Sequence, residues 1–147
     1  SAASDVYKRQ VYGFPAGITE DSRTIRNQYG LLYNAGVFSG STSLVTEGWK
    51  IPNHLGDWDK LRNFLGGDSK VAEALSIAGF VGKPGGRRDA DEPFAFQEKD
   101  EVGYWWFSSV DGYNCWALSI NPSNVSVPQS TNTYSRGYGF SIRFIRQ

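Results

Sequence analysis

The sequence predicts an α+β domain in which helices cover one side of a small antiparallel sheet. Apolar residues between positions 55 and 65 recur at spacings of three and four, which is typical of one helical face. Two later segments, 116–120 and 140–144, alternate apolar and polar residues, which is typical of strands. The helical pattern precedes the strands instead of alternating with them, so an antiparallel sheet is favoured over a parallel one.

Composition limits the chain to one domain and excludes several partners. Its 147 residues fit a single domain that buries a core without needing disulfide bonds. Aromatic residues make up 15% and there are 17 glycines, which indicates a loop-rich fold with an aromatic core. Fifteen basic residues balance fifteen acidic ones, so nothing supplies the basic field that nucleic acid requires. No apolar run approaches the length of a membrane span, so we expect no direct membrane insertion.

The first ten residues, SAASDVYKRQ, resemble an in-frame translation of a transposon adapter used in DNA sequencing libraries. We therefore expect residues 1–10 to be a tail outside the fold and residues 11–147 to form the single domain. An ordinary polar tail would be excluded from the fold equally. The adapter interpretation also implies that a signal sequence has been lost upstream. Glycines and a proline between Val11 and Arg26 predict a loop.

The clearest predicted helix runs from about Leu55 to Leu65. Its expected inward face consists of Leu55, Trp58, Leu61, Phe64 and Leu65. Asn53 or His54 is the expected N-cap, and the glycine pair at 66–67 ends the helix as a left-handed cap. A second, shorter helix is expected over Ser69–Ile77.

Aromatic and alternating segments predict the strands. Tyr104–Ser108 is strand-like, and a strand turns Trp105 and Trp106 to opposite faces, so one of the two is expected to be partly exposed. The expected inward positions of the other strands are Trp116, Leu118, Ile120, Phe140, Ile142 and Phe144. The polar stretch Asn121–Tyr138 between them is expected to be a surface loop.

The sequence offers little for catalysis. His54 is the only histidine and Cys115 the only cysteine, so there is no intrachain disulfide and no ligand set for zinc. We expect no catalytic residues, no metal and no cofactor. Acidic residues cluster at 89–92 and at 98–101, and paired carboxylates there would be needed for the least favoured alternative, a glycan-processing enzyme.

Several motifs occur in an order that resembles the Fibrobacter succinogenes major paralogous domain family. They are YGLLYN at 29–34, EGWKIPN at 47–53, DWDKLRNFLGG at 57–67, KPGGRR at 83–88, GYWWFSS at 103–109 and GYGFSIRFIRQ at 137–147. The resemblance covers residues 28–147. It implies a C-type-lectin-like fold, in which two helices pack on a small antiparallel sheet and a long loop region carries ligand binding.

The same resemblance implies a bacterial protein that is secreted or held at the cell surface. Family members commonly carry cysteines near the EGW motif and in the last strand. This chain has Thr46 or Glu47 and Phe144 there, so no disulfide can link the two places. We expect Phe144 to substitute for that disulfide by packing. Calcium-dependent sugar binding is unsupported, since Glu92-Pro93 lacks the further carboxylate and amide ligands that such lectins use.

Function is expected to be non-catalytic binding of a protein or glycan through the stretch Tyr113–Tyr138, whose Tyr, Asn and Ser content is typical of antibody paratopes. The expected contact residues are Tyr113, Asn114, Asn121, Asn124, Asn132, Tyr134, Arg136 and Tyr138. The stretch also resembles the variable region of retroelement-diversified proteins, many of which use the C-type-lectin fold. The alternative is a structural or spacer domain of a surface lipoprotein with no ligand of its own.

Overall fold

A computed structural model describes residues 22–39, 45–67, 70–71, 83–121 and 130–147. Within these ranges the chain is α+β, with short helices and small antiparallel sheets, so the predicted fold class is confirmed at that level. The predicted tail at 1–10 and most of the predicted helix Ser69–Ile77 lie outside the described residues. The two described residues of that helix, Lys70 and Val71, are helical.

The helical elements are α1 (Ser22–Tyr29), α2 (Gly36–Ser39), a π-helical turn (His54–Trp58) and α3 (Asp59–Phe64), which continues directly from the turn. The strands are β1 (Trp49–Lys50), β2 (Arg87–Arg88), β3 (Phe96–Gln97), β4 (Gly103–Asp111), β5 (Asn114–Ile120), β6 (Ser130–Ser135) and β7 (Ile145–Arg146). They form three antiparallel sheets, β1–β7, β2–β3 and β4–β5–β6, with β5 central in the largest.

The main sheet is covered on both faces. The helix-side cluster consists of Trp58, Val71, Trp105, Phe107, Leu118 and Ile120. The aromatic-side cluster consists of Ala35, Tyr104, Trp106, Cys115, Ala117 and Phe140. Trp105 and Trp106 therefore face opposite ways, as predicted, but the expectation that one is partly exposed is wrong, because both are buried.

Capping interactions explain where the helix formed by the π-helical turn and α3 begins and ends. Asn53 Oδ1 accepts hydrogen bonds from the amides of Gly56 at 2.6 Å and Asp57 at 3.0 Å. The Asp57 carboxylate in turn accepts the Asn53 amide at 3.0 Å, so the two side chains together satisfy three backbone donors. Gly66 and Gly67 follow the helix with φ values of 99° and 91°, as a left-handed cap requires. The predicted caps are confirmed, with Asn53 and not its neighbour at the N-terminus.

The predicted inward face of this helix is wrong for three residues. Trp58 is buried, but Leu55 is 77% exposed and Phe64 86% exposed, and Leu61 is also exposed. The π-helical turn accounts for Leu55, because its i→i+5 bonding widens the helix and breaks the 3.6-residue period that links Leu55 to Trp58. Phe64 lies six residues after Trp58, which places it about 120° away around the α-helix. Of the other residues in the predicted inward face, Leu65 packs against the helix-side cluster.

Two loops expected from the sequence contain regular structure. Residues 22–26 were expected in a loop but belong to α1. The polar stretch contains β6, which pairs with β5 from Asn114↔Ser135 to Ser119↔Ser130. An edge strand needs no alternating apolar pattern, and threonine and tyrosine favour extended backbone, so polar composition concealed this strand.

The C-terminal segment is not the continuous strand that was expected over 140–144. Phe140 forms a single antiparallel bridge with Tyr33, and Ser141 a single parallel bridge with Trp105. Regular pairing resumes only in β7, which pairs with β1. Phe144 is 38% exposed, so the expectation that it packs in the core is wrong.

Candidate functional site

The predicted contact residues fall into separate places on the main sheet, and the first is the hairpin tip. We define the hairpin tip as Gly112, Tyr113, Asn114 and Arg136. A two-residue turn joins β4 to β5, and Gly112 has a left-handed φ of 59°. Tyr113 is 92% exposed, and Arg136 Nη2 donates to the Gly112 carbonyl at 3.2 Å. A large aromatic side chain therefore projects into solvent from a turn that an arginine holds.

Cys115 lies beneath the tip and is fully buried. Burial raises the pKa of its thiol, and the neighbouring Arg136 guanidinium only partly opposes that shift. A thiol held protonated in this way is a weak nucleophile.

Tyr134 and Tyr138 occupy a second place, on the aromatic side of the sheet. Both are partly buried against Phe140, with ring centroids at 5.0 Å and 5.6 Å, and their own rings lie 5.7 Å apart. Burial raises the pKa of Tyr134. These tyrosines contribute to packing first and present only part of their surface to a partner.

A polar network lies beside them. Arg87 pairs with Glu98, and it bonds Asp89 at 3.1 Å and the Tyr104 hydroxyl at 2.9 Å. That hydroxyl donates to the Glu98 carboxylate at 2.6 Å. Burial and then the Glu98 bond raise the pKa of Tyr104, so the hydroxyl stays protonated. The network connects the β2–β3 hairpin to β4. Asp89 and Glu98, two of the acidic residues noted in the sequence, belong to it.

The asparagines are dispersed. Asn132 Oδ1 accepts the Thr133 amide at 2.8 Å on the open edge of β6, so part of its side chain is already engaged. Asn121 follows β5 at the end opposite Asn114, and seven residues of extended chain separate the two by roughly 20 Å. Asn124 lies outside the described residues. The eight predicted residues therefore do not form one compact patch.

His54 is a packing residue at the edge of the helix side. Its ring stacks on Trp116 with centroids 4.2 Å apart, and its amide donates to Ser109 Oγ at 2.8 Å. Burial is the main cause that lowers the pKa of His54. The neighbouring Trp116 is half-buried beneath it.

Sequence reasoning missed a cleft of about 470 Å³ between the segment after α1 and the C-terminal segment. Among the described residues it is lined by Tyr29, Gly30, Leu31, Tyr33, Lys83, Trp105, Ser141, Ile142, Arg143 and Phe144. These residues come from segments far apart in the chain. The only available signal was that the motifs at 29–34, 83–88 and 137–147 each contribute to the lining.

Two further results concern the described part of the chain. It contains no group of three or more His, Cys, Asp or Glu side chains placed to hold a metal ion. None of its helices has both the length and the apolar character that crossing a membrane demands.

Comparison with protein families gives a match to the Fibrobacter succinogenes major domain over residues 12–146. The chain belongs to the Fibrobacter succinogenes major domain family. This bacterial domain thus spans both the hairpin tip and the cleft, and the predicted family membership is confirmed. No curated protein and no solved structure matches the chain.

Proposed function

We propose that this Fibrobacter succinogenes major domain is a non-catalytic binding module that contacts a protein or glycan through the hairpin tip. The observation that carries the proposal is the exposure of Tyr113, which is 92% accessible and makes no ring contact with a described residue. A tyrosine on a rigid turn presents a large contact area and loses little conformational entropy on binding. Arg136 beside it supplies a planar donor for carboxylate or carbonyl groups.

The rigidity of the surrounding sheet supports the same proposal. The tip extends from the two longest strands, β4 and β5, and Arg136 bonds the turn carbonyl from the end of β6. Anchors held on a rigid scaffold avoid much of the ordering cost of association. Asn114 lies next to Tyr113 and is exposed, so an adaptable amide accompanies the aromatic anchor.

We further propose that the fold is C-type-lectin-like and that the protein is secreted or displayed at the bacterial surface. The small antiparallel sheets, the short helices and the long loop-rich region over 83–102 support that assignment. So does the pairing of β1 with β7, which joins an early segment to the C-terminal one. Diversification of the stretch 113–138 by a retroelement belongs to the same proposal, and a second gene copy that differs only there would establish it.

The test is an array of bacterial and host proteins and glycans probed with the folded domain. The wild type should retain ligands that both Tyr113→Ala and Arg136→Gln lose. Lys60→Ala is the matched control, because it removes an exposed charge from α3 on another part of the molecule. Loss of signal with Lys60→Ala but not with the tip variants would place the contact elsewhere.

The same array separates the alternatives. A structural or spacer domain predicts that no ligand is retained by the wild type. A glycan-processing enzyme predicts that a spotted glycan is cleaved, and that Glu98→Gln abolishes the cleavage.

A further inference from the structure

The cleft between the segment after α1 and the C-terminal segment has the composition of a ligand site. Its volume of about 470 Å³ falls within the range of roughly 300–1,000 Å³ that small-molecule sites occupy. It is separate from the hairpin tip. Trp105 lines it from within β4, and eight residues of nearly extended chain place Tyr113 more than about 20 Å away.

The charged side chains among the described lining residues of the cleft are both cationic. Lys83 and Arg143 line it, and none of the lining residues within the described ranges is acidic. Lys83 is exposed, and its ammonium forms no ion pair with a described residue. Asp100 lies beside the lining, where its carboxylate accepts the hydroxyl of the lining residue Tyr29 and pairs with Lys99 at 3.0 Å. These hydrogen bonds, from Tyr29 first and then Lys99, lower the pKa of Asp100.

The walls combine aromatic surface with hydroxyl groups. Among the described lining residues, Tyr29, Tyr33, Trp105 and Phe144 are aromatic, and Ser141 carries a hydroxyl. Flat apolar surface beside hydrogen-bonding groups suits a sugar ring, which has C–H faces and hydroxyl edges. A carboxylate on that ring would meet the cationic side of the cleft.

We propose that the cleft binds an acidic saccharide, with the sugar ring against the aromatic wall and its carboxylate toward Lys83 and Arg143. This site is independent of the hairpin tip, so the domain carries two contact regions with different chemistry. The tip presents exposed aromatic area to a partner, whereas the cleft encloses part of a small anionic ligand.

Calorimetric titration with trigalacturonic acid tests the proposal, with galactotriose as the uncharged match. The wild type should bind the acid about a hundredfold more tightly than the neutral sugar, since two charge-assisted bonds contribute about tenfold each. Lys83→Gln and Arg143→Gln should each remove about tenfold of that preference. Lys60→Gln, which removes an exposed charge on α3 outside both the cleft lining and the hairpin tip, should leave the titration unchanged.

Equal affinity for the two sugars, or binding of neither, would overturn the proposal. So would wild-type affinity in the Lys83→Gln variant, which we expect to fold because the changed side chain is exposed. The hairpin-tip proposal fails separately, because it depends on array ligands that Arg136→Gln loses and Lys83→Gln retains.

Discussion

The hairpin tip and the aromatic side of the sheet contain the same residue type in opposite surroundings. Tyr113 projects from the tip without a ring partner among the described residues, whereas Tyr134 and Tyr138 pack on Phe140. The sequence offers no distinction among these three tyrosines, since all lie in or beside one polar stretch. Sheet pairing separates them, because β6 turns Tyr134 to the same face as Cys115. A tyrosine of this region is therefore a stability residue where the chain turns it onto Phe140 and a contact residue where it projects from the turn.

The largest effect expected from this comparison is at Phe140. Its side chain is fully buried and lies against Tyr104, Trp106, Tyr134 and Tyr138. Phe140→Ala should lower the free energy of unfolding by about 3–5 kcal/mol, from lost burial and the cavity left behind. Denaturant unfolding measures it, with Phe140→Leu as the milder control. A loss below about 1 kcal/mol would mean that this cluster does not stabilise the aromatic side.

A smaller loss is expected at Tyr134, which is only partly buried. Tyr134→Ala should lower the free energy of unfolding by about 1–3 kcal/mol, because it removes edge contacts to Tyr104 and Phe140. Tyr134→Phe keeps the ring and should retain most of that stability in the same unfolding experiment. If Tyr134→Ala were as stable as the wild type, Tyr134 would not be a stability residue. The contrast between the aromatic side and the hairpin tip would then be wrong.

The smallest effect concerns pH and the His54–Trp116 stack. Burial lowers the pKa of His54 below the value of 6.5 that the unfolded chain keeps. The unfolded state then binds more protons between the two pKa values, so stability should fall as pH drops through 6.5 and level off below the folded pKa. Thermal unfolding between pH 8 and pH 5, in steps of about one unit, measures the change.

His54→Phe should flatten that dependence, since it retains a ring against Trp116 and removes the only histidine. Carboxylates titrate lower and should contribute equally to both proteins over most of this range. An unchanged pH profile in the variant would show that His54 is not the titrating group.

Sequence reasoning succeeded where local patterns decide the structure. The cap at Asn53, the glycine pair at 66–67 and the opposite faces of Trp105 and Trp106 follow from hydrogen-bonding and backbone rules that act within a few residues. The α+β fold class was predictable for the same reason, because the helix and strand patterns are also local. The helix orientation was not, because the π-helical turn at His54–Trp58 changes the period and leaves no compositional signature.

The candidate site was predictable in part. Tyr113, Asn114 and Arg136 were among the expected contact residues, and the structure brings them together at one turn. The separation of Asn121 from them depends on strand length and pairing, which composition does not encode. The cleft depends on contacts between distant segments, so its lining was beyond any local pattern.

The measurement that tests the central claim most directly is a paired one on Tyr113→Ala. The free energy of unfolding should stay within about 0.5 kcal/mol of the wild type, because the side chain is 92% exposed. Affinity for a ligand retained on the array should fall by about thirtyfold, which corresponds to roughly 2 kcal/mol of binding free energy for one anchor. Unchanged affinity, or a loss of stability above about 1 kcal/mol, would contradict the assignment of the hairpin tip as a contact surface.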